Sequence, residues 1–219
     1  NAEYVAQQQA GHWPGPKLKY AGFVFEPTPV LGGSVYPKDE ASWRAEIARQ
    51  KQLGVDYVKL YAGLSKDEVA LGVRLAKEAG LKTLAHLDSV SWQYAADLGI
   101  DMLTHALPTS AELLTGDAKQ AYLAERKNPY DSRYLYRWFN YVDYDSEPMQ
   151  KLFSTLARQQ TRVDLTLVAN ELFYFGRDLN GLYPEQTMWV FHPESRSRWR
   201  AFFAALSYDW SKEDLVAAQ

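Results

Sequence analysis

Three side chains able to do chemistry fall at matching places in three successive stretches. They are Lys59 in "DYVKLY", His86 in "KTLAHL" and His105 in "DMLTHA". Each lies toward the C-terminal end of a short apolar run. An ammonium is costly to bury unless it is paired, neutral or chemically changed. A histidine nitrogen is a good zinc ligand, at about 2.0–2.1 Å. Taken singly, a strand histidine is more often a hydrogen-bonded core residue, and a strand lysine usually snorkels to the surface. The shared position of the three makes them more informative together. Adjacent parallel strands lie about 4.8 Å apart, so same-level residues on three neighbours converge on one point above a sheet. Tyr57 and Tyr61 share the face of Lys59 by strand alternation.

That convergence requires parallel strands separated by helices, and the chain supplies the signals. "QLGVDYVKLYAG" (52–63), "EAGLKTLAHL" (78–87) and "DLGIDMLTHAL" (97–107) share one grammar. A helix ends in Leu-Gly or Ala-Gly, one or two turn residues follow, and an apolar strand begins. Gly54, Gly80 and Gly99 suit the left-handed position just past a helix end. Their spacings of 26 and 19 residues leave room for one strand and one helix per unit. The pitch predicts βα units on a parallel sheet, with strands at 18–25, 56–61, 82–87, 101–106 and 163–168.

Helices are predicted over 39–53, 65–79, 89–98 and 146–160. In the first, Trp43, Ile47 and Leu53 fall near one face. In the second, Ser65 to Glu68 reads as a capping box ahead of a Val69, Val73, Ala76 stripe. In the last, Ser146 reads as the cap, with Met149, Leu152, Phe153 and Leu156 pointing inward. Two inserts, about 116–145 and 170–193, both follow strands, and loops after strands form the active-site face of a parallel barrel. Residues 1–219 read as a single, incomplete barrel domain, its ends resembling cut helices. Five parallel strands do not close a barrel, and two edges would be left unpaired.

Composition narrows the chemistry. A net charge of −3 with no basic run argues against a nucleic-acid partner. No run of eighteen apolar residues is present, so no membrane span is expected. The first twenty residues lack the basic start and apolar core of a secretory leader. With no cysteines among 219 residues, a metal must use His, carboxylate or something rarer. Of the four histidines, His12 and His192 sit in turn-rich segments and read as surface or loop residues. Aromatic side chains cluster in the second half, where they could line a pocket or simply pack.

Lysine, histidine and histidine on successive strands, in "GVDYVKLYAG", "EAGLKTLAHLDS" and "LGIDMLTHALP", followed by "VDLTLVANELF", resemble the amidohydrolase superfamily. More narrowly they are similar to its imidazolonepropionase-like and Xaa-Pro-dipeptidase-like branch. The resemblance covers roughly residues 17–215. It implies an α/β fold, a partial (β/α)₈ TIM-like barrel of approximately strands three to seven with their helices. It implies a hydrolase of amide, cyclic amide or dipeptide C–N bonds, acting through a metal-activated hydroxide. Lys59, His86 and His105 would be metal ligands and Tyr61 a substrate contact, with aromatic packing the plainer role for Tyr61. The metal would be one or two divalent ions, zinc the commonest, with Lys59 carboxylated by CO₂ into an anionic ligand. The family's His-x-His pair and its Gly-Thr-Asp phrase are both absent, so the chain would carry half of a metal site and be inactive alone. The missing strands would come from the rest of the chain or from another chain.

Two other readings remain open. Lys59 could form a Schiff base with a carbonyl substrate, as in aldolase-type lyases, if burial lowers its pKa. The chain could also be a non-catalytic α/β module that binds a ligand among its aromatic residues.

Overall fold

A computed structural model describes residues 2–28, 33–126, 132–167, 192–206 and 210–217. Among the described residues six strands form one wholly parallel sheet: β1 (Ala21–Phe25), β2 (Ser34–Val35), β3 (Tyr57–Leu60), β4 (Lys82–Ala85), β5 (Met102–Thr104) and β6 (Arg162–Asp164). Their order is β2-β1-β3-β4-β5-β6, and these strands do not close on themselves. Helix α1 (Ala2–Gln9) precedes β1. Helices α2 (Glu40–Gln52), α3 (Lys66–Glu78) and α4 (Trp92–Asp97) then alternate with the strands. After β5 come α5 (Gly116–Glu125), α6 (Ser132–Arg137) and α7 (Glu147–Gln159), and α7 leads into β6. The architecture is the expected partial TIM-like barrel. The one strand not predicted is β2, whose two residues are too few to carry a period.

Helix boundaries follow their caps. Ser65 and Glu68 form the predicted capping box of α3, and Asp39 and Ser42 form another at α2. Gly54, Gly80 and Gly99 take φ of 78°, 71° and 74°, the left-handed turn that ends each helix and aims the chain into the next strand. Ser146 stands at the N-cap of α7 as predicted but makes no side-chain cap bond. Its hydroxyl instead donates to the Asp143 carbonyl at 2.6 Å, where a turn precedes the helix.

The core lies between the helices and one face of the sheet. Val58 and Leu60 point into it from β3, with Phe25, Trp43, Ile47, Val69 and Val73 around them, all buried. Phe25 and Trp43 stack with ring centroids 4.5 Å apart. Gly72 lets α3 sit on β3, because a Cβ there would meet Leu60 Cδ2 at 2.6 Å and Trp43 Cζ3 at 3.1 Å. Two residues predicted on apolar helix faces are not buried. Leu53, expected on the face of Trp43 and Ile47, is half exposed because the chain turns at Gly54 directly after it, and Phe153, expected inward, is nearly half exposed on the outer side of α7, while Met149 and Leu152 are buried. The opposite sheet face carries Lys59 and Leu84, which pair in register.

The strands are also tied at their starts. Asp56 accepts from the Tyr20 backbone N–H at 3.1 Å and pairs with Lys19. Asp101 accepts from the Thr83 backbone at 2.8 Å. These two aspartates occupy the same place in "GVDY" and "GIDM", and each fixes its strand to the preceding one. Such ties set the register that carries the site at the other end.

The insert at 116–145 is a packed unit as far as it is described. Trp138 is fully buried and donates from Nε1 to the Ser110 carbonyl at 3.0 Å. Tyr122 is buried too, its hydroxyl 3.3 Å from the Thr109 and Tyr134 carbonyls. The second insert, at 170–193, lies outside the described residues except for its last two.

Candidate metal centre at the carboxyl ends of the strands

Register decides what gathers at the top of the sheet. Leu60 pairs with Ala85, and Ala85 with Leu103. The next residue along each strand is therefore at one level: Tyr61, His86 and Thr104. The Tyr61 and His86 rings meet edge to face with centroids 4.7 Å apart. Lys59 starts two residues lower and its long side chain climbs to that level. Its Nζ donates to Thr104 Oγ1 at 3.3 Å and lies 6.0 Å from the Tyr61 ring centre.

His105 reaches the site by a different route. Strand alternation puts Thr104 on the face of Lys59, so a continued strand would send His105 toward the helices. The strand stops instead. His105 and Ala106 take φ of 82° and 52°, a conformation uncommon outside glycine and several-fold enriched for histidine. The turn swings the ring back to within 4.5 Å of the His86 ring, centroid to centroid, at an interplanar angle of 71°. Local strain of this kind is characteristic of functional sites. Same-level convergence thus describes Tyr61 and His86 but not Lys59 or His105, which arrive by side-chain length and by a backbone turn.

Electrostatics at this point are unusual for three basic groups. Burial pushes the Lys59 amine down to about 8, with Asp164 pulling the other way. Burial pushes His86 down to about 3, and the neighbouring His105 and Lys59 add to the shift. His105 is lowered too, by burial and then by Lys59, with Asp164 opposing. Both imidazoles are therefore neutral at pH 7, the form that offers a lone pair to a cation. Burial, followed by Glu26, raises the Tyr61 hydroxyl, which stays protonated.

The donor set fits a divalent ion in part. Nδ1 of His86 is buried with no hydrogen-bond partner among the described residues. Nδ1 of His105 lies 2.8 Å from Thr166 Oγ1, the kind of contact that fixes the ring of a metal-binding histidine. Among the described residues no three His, Asp or Glu side chains form a complete ligand set. Two imidazoles and a lysine therefore amount to a fraction of a coordination shell.

Three neighbours were not singled out from the sequence. Thr104 is buried between Lys59 and the Ala85 carbonyl. Glu26, 1% exposed at the end of β1, faces Tyr61, and Ser34 Oγ makes a long 3.5 Å contact to its carboxylate. Asp164 ends β6 opposite Thr104. A charged residue closing an apolar strand was the available signal for Glu26 in "FVFEP" and for Asp164 in "RVDL". Close by, Arg126 Nη2 lies 2.8 Å from both oxygens of the buried Asp88, and this partly buried pair ties the end of α5 to the residue that follows β4 by three. His12 and His192 lie apart on exposed segments, where His12 contacts Gln7 and His192 accepts from the Glu194 N–H.

Solved structures with this arrangement of strands and helices include a bottromycin amidohydrolase. It superposes with a TM-score of 0.61 at 16% identity over 99% of this chain and 44% of its own. The chain shares the fold of that enzyme. A Xaa-Pro dipeptidase with methionine bound in its active site shares this fold at a TM-score of 0.50, with 13% identity over 98% of this chain and 49% of its own. The chain thus spans a little under half the length of these amidohydrolase-fold proteins. No family model matches it, and no curated protein matches it in sequence.

Proposed function

We propose that the chain is part of a metal-dependent hydrolase that cleaves amide, cyclic amide or dipeptide C–N bonds. The observation that carries this reading is the meeting of Lys59, His86 and His105 above one end of a parallel sheet, with both rings neutral at pH 7 and Nδ1 of His86 buried and unpartnered among the described residues. The named activities of the two fold relatives, amidohydrolase and Xaa-Pro dipeptidase, agree with it.

In this reading His86 and His105 hold a divalent ion, with zinc the first choice, and one or two ions are bound. Such an ion supplies a Lewis acid for a carbonyl oxygen and a more acidic water. The chain's own residues do the rest. Burial keeps a usable fraction of Lys59 as the free amine near neutral pH. That amine can add CO₂ and become an anionic oxygen ligand. Thr166 holds the His105 ring in one orientation. Tyr61, protonated and beside His86, is placed to contact a bound amide or peptide. The remaining strands and ligands come from the rest of the chain or from another chain, and this segment alone is inactive.

A second reading has one specific observation in its favour. A lysine with a pKa of about 8 is also suited to forming a Schiff base. One experiment separates the two. The full-length protein is analysed for metal and incubated with a panel of dipeptides, N-acyl amides and cyclic amides, with and without chelator. The hydrolase reading expects bound zinc, chelator-sensitive hydrolysis of at least one class, and loss of metal in His86→Asn. A metal-free protein that borohydride couples to a carbonyl compound through Lys59 would overturn it.

A further inference from the structure

The Thr104 hydroxyl has a single proton, and it is donated to the Ala85 carbonyl at 3.1 Å. The oxygen can then only accept, and the donor facing it is Lys59 Nζ at 3.3 Å. Thr104 is 6% exposed, so water competes little for that lone pair. Ala85 is itself fixed in the middle of the sheet, paired to Leu60 on one side and Leu103 on the other. The chain of contacts runs from a rigid carbonyl through one hydroxyl to the lysine nitrogen.

We propose that Thr104 is the positioning residue that sets the orientation of the carboxylated Lys59; this rests on the reading of Lys59 as a CO₂-modified ligand. In that modification the lone pair of the neutral amine attacks the carbon of CO₂. A C–N bond forms, one C=O electron pair moves onto oxygen, and a nitrogen proton leaves to water. The carbamate nitrogen keeps one N–H, and a carbamate is planar like an amide. Thr104, polarised as an acceptor by its own bond to Ala85, takes that N–H. The plane of the carboxylate, and with it the direction of its oxygens, follows from the one hydrogen bond. An ammonium or free amine has further N–H bonds and can turn to another acceptor or to water when Thr104 is lost, whereas the planar carbamate has one N–H in one direction, so the loss weighs on the modified lysine; Thr104 orients the nitrogen rather than activating it. It touches neither substrate nor reacting carbon.

The test uses the full-length protein in ¹³C-bicarbonate with zinc present, read by the ¹³C carbamate resonance and by zinc content. Wild type is expected to show the resonance. Thr104→Ser keeps the hydroxyl and should retain it within about twofold, whereas Thr104→Val keeps the shape without the acceptor and should lower occupancy about five- to tenfold, the worth of one hydrogen bond. Thr104→Cys, with a poor acceptor of similar size, replaces the valine variant if that fails to fold. Wild-type occupancy in Thr104→Val overturns the role of Thr104 while leaving the hydrolase reading in place. Equal losses in the serine and valine variants also overturn it, because shape rather than the hydroxyl would then matter. No resonance in wild type overturns the carboxylation on which the proposal stands.

Discussion

Replacing Lys59 with methionine should make the protein more stable at neutral pH. The Lys59 amine is pushed from 10.5 down to about 8 by burial, against an incomplete pull from Asp164. By linkage that shift corresponds to roughly 3 kcal/mol of destabilisation wherever the lysine is protonated in both folded and unfolded chains. The sign follows from the direction of the shift. Below pH 8 the ammonium is buried in the folded state and the full penalty applies. As pH rises from 8 toward 10.5 the folded chain holds a neutral amine while the unfolded chain is still charged, so the penalty fades. Methionine keeps much of the length and apolar contact of the lysine stem. Thr104 loses its donor, which returns about 1 kcal/mol of the gain. The expected net effect at pH 7 is stabilisation by about 1–2 kcal/mol. Urea titrations of both proteins in chelator and CO₂-free buffer, from pH 6 to pH 10, measure it. The two stabilities should converge as pH rises. A Lys59→Met protein that is weaker at pH 7, or offset by a constant amount at every pH, would refute the claim that a buried cation is held here for a purpose other than stability.

Other consequences follow from the same packing. Arg126→Met leaves the Asp88 carboxylate buried without its partner and should destabilise by about 3–5 kcal/mol. Burial already raises Asp88, and the double variant with Asp88→Asn should recover most of the loss in urea unfolding. Gly72→Ala drives a methyl into Leu60 and Trp43 and should lower stability by about 1–3 kcal/mol despite the better helix former, read as a drop in thermal midpoint. His86, pushed down to about 3, is neutral when folded and protonates at its ordinary 6.5 when unfolded. Stability should therefore fall as pH drops from 6.5 toward 3, by up to roughly 5 kcal/mol, and His86→Asn should flatten that slope in acid titrations.

The fold was largely legible because its signals are local. Left-handed glycines at 54, 80 and 99 and the Ser65 capping box need only a few residues of sequence to recognise. Leu53 and Phe153 fit the helical period of their apolar neighbours, yet one ends at a turn and the other lies on the solvent side of its helix. Ser146 fits the cap pattern, but its hydroxyl is taken by the Asp143 carbonyl. Within the site, Lys59 could be read from alternation against Val58 and Leu60. His105 sits on the wrong phase for an extended strand, and only its φ of 82° brings it in. A reversal of that kind has no sequence signature in "LTHA". Thr104 was missed because a threonine before a histidine reads as ordinary strand, and its meaning depends on the register between β3, β4 and β5.

Where a cation binds decides whether the Lys59, His86 and His105 cluster is a metal site. Crystals of the full-length protein grown with zinc, with diffraction recorded on both sides of the zinc absorption edge, would place it. An anomalous peak is expected about 2.0–2.1 Å from a nitrogen of His86 and of His105, with an oxygen carried by Lys59 completing that side of the shell. A peak elsewhere, or an unmodified Lys59 with no cation between the two rings, would contradict that reading of the cluster.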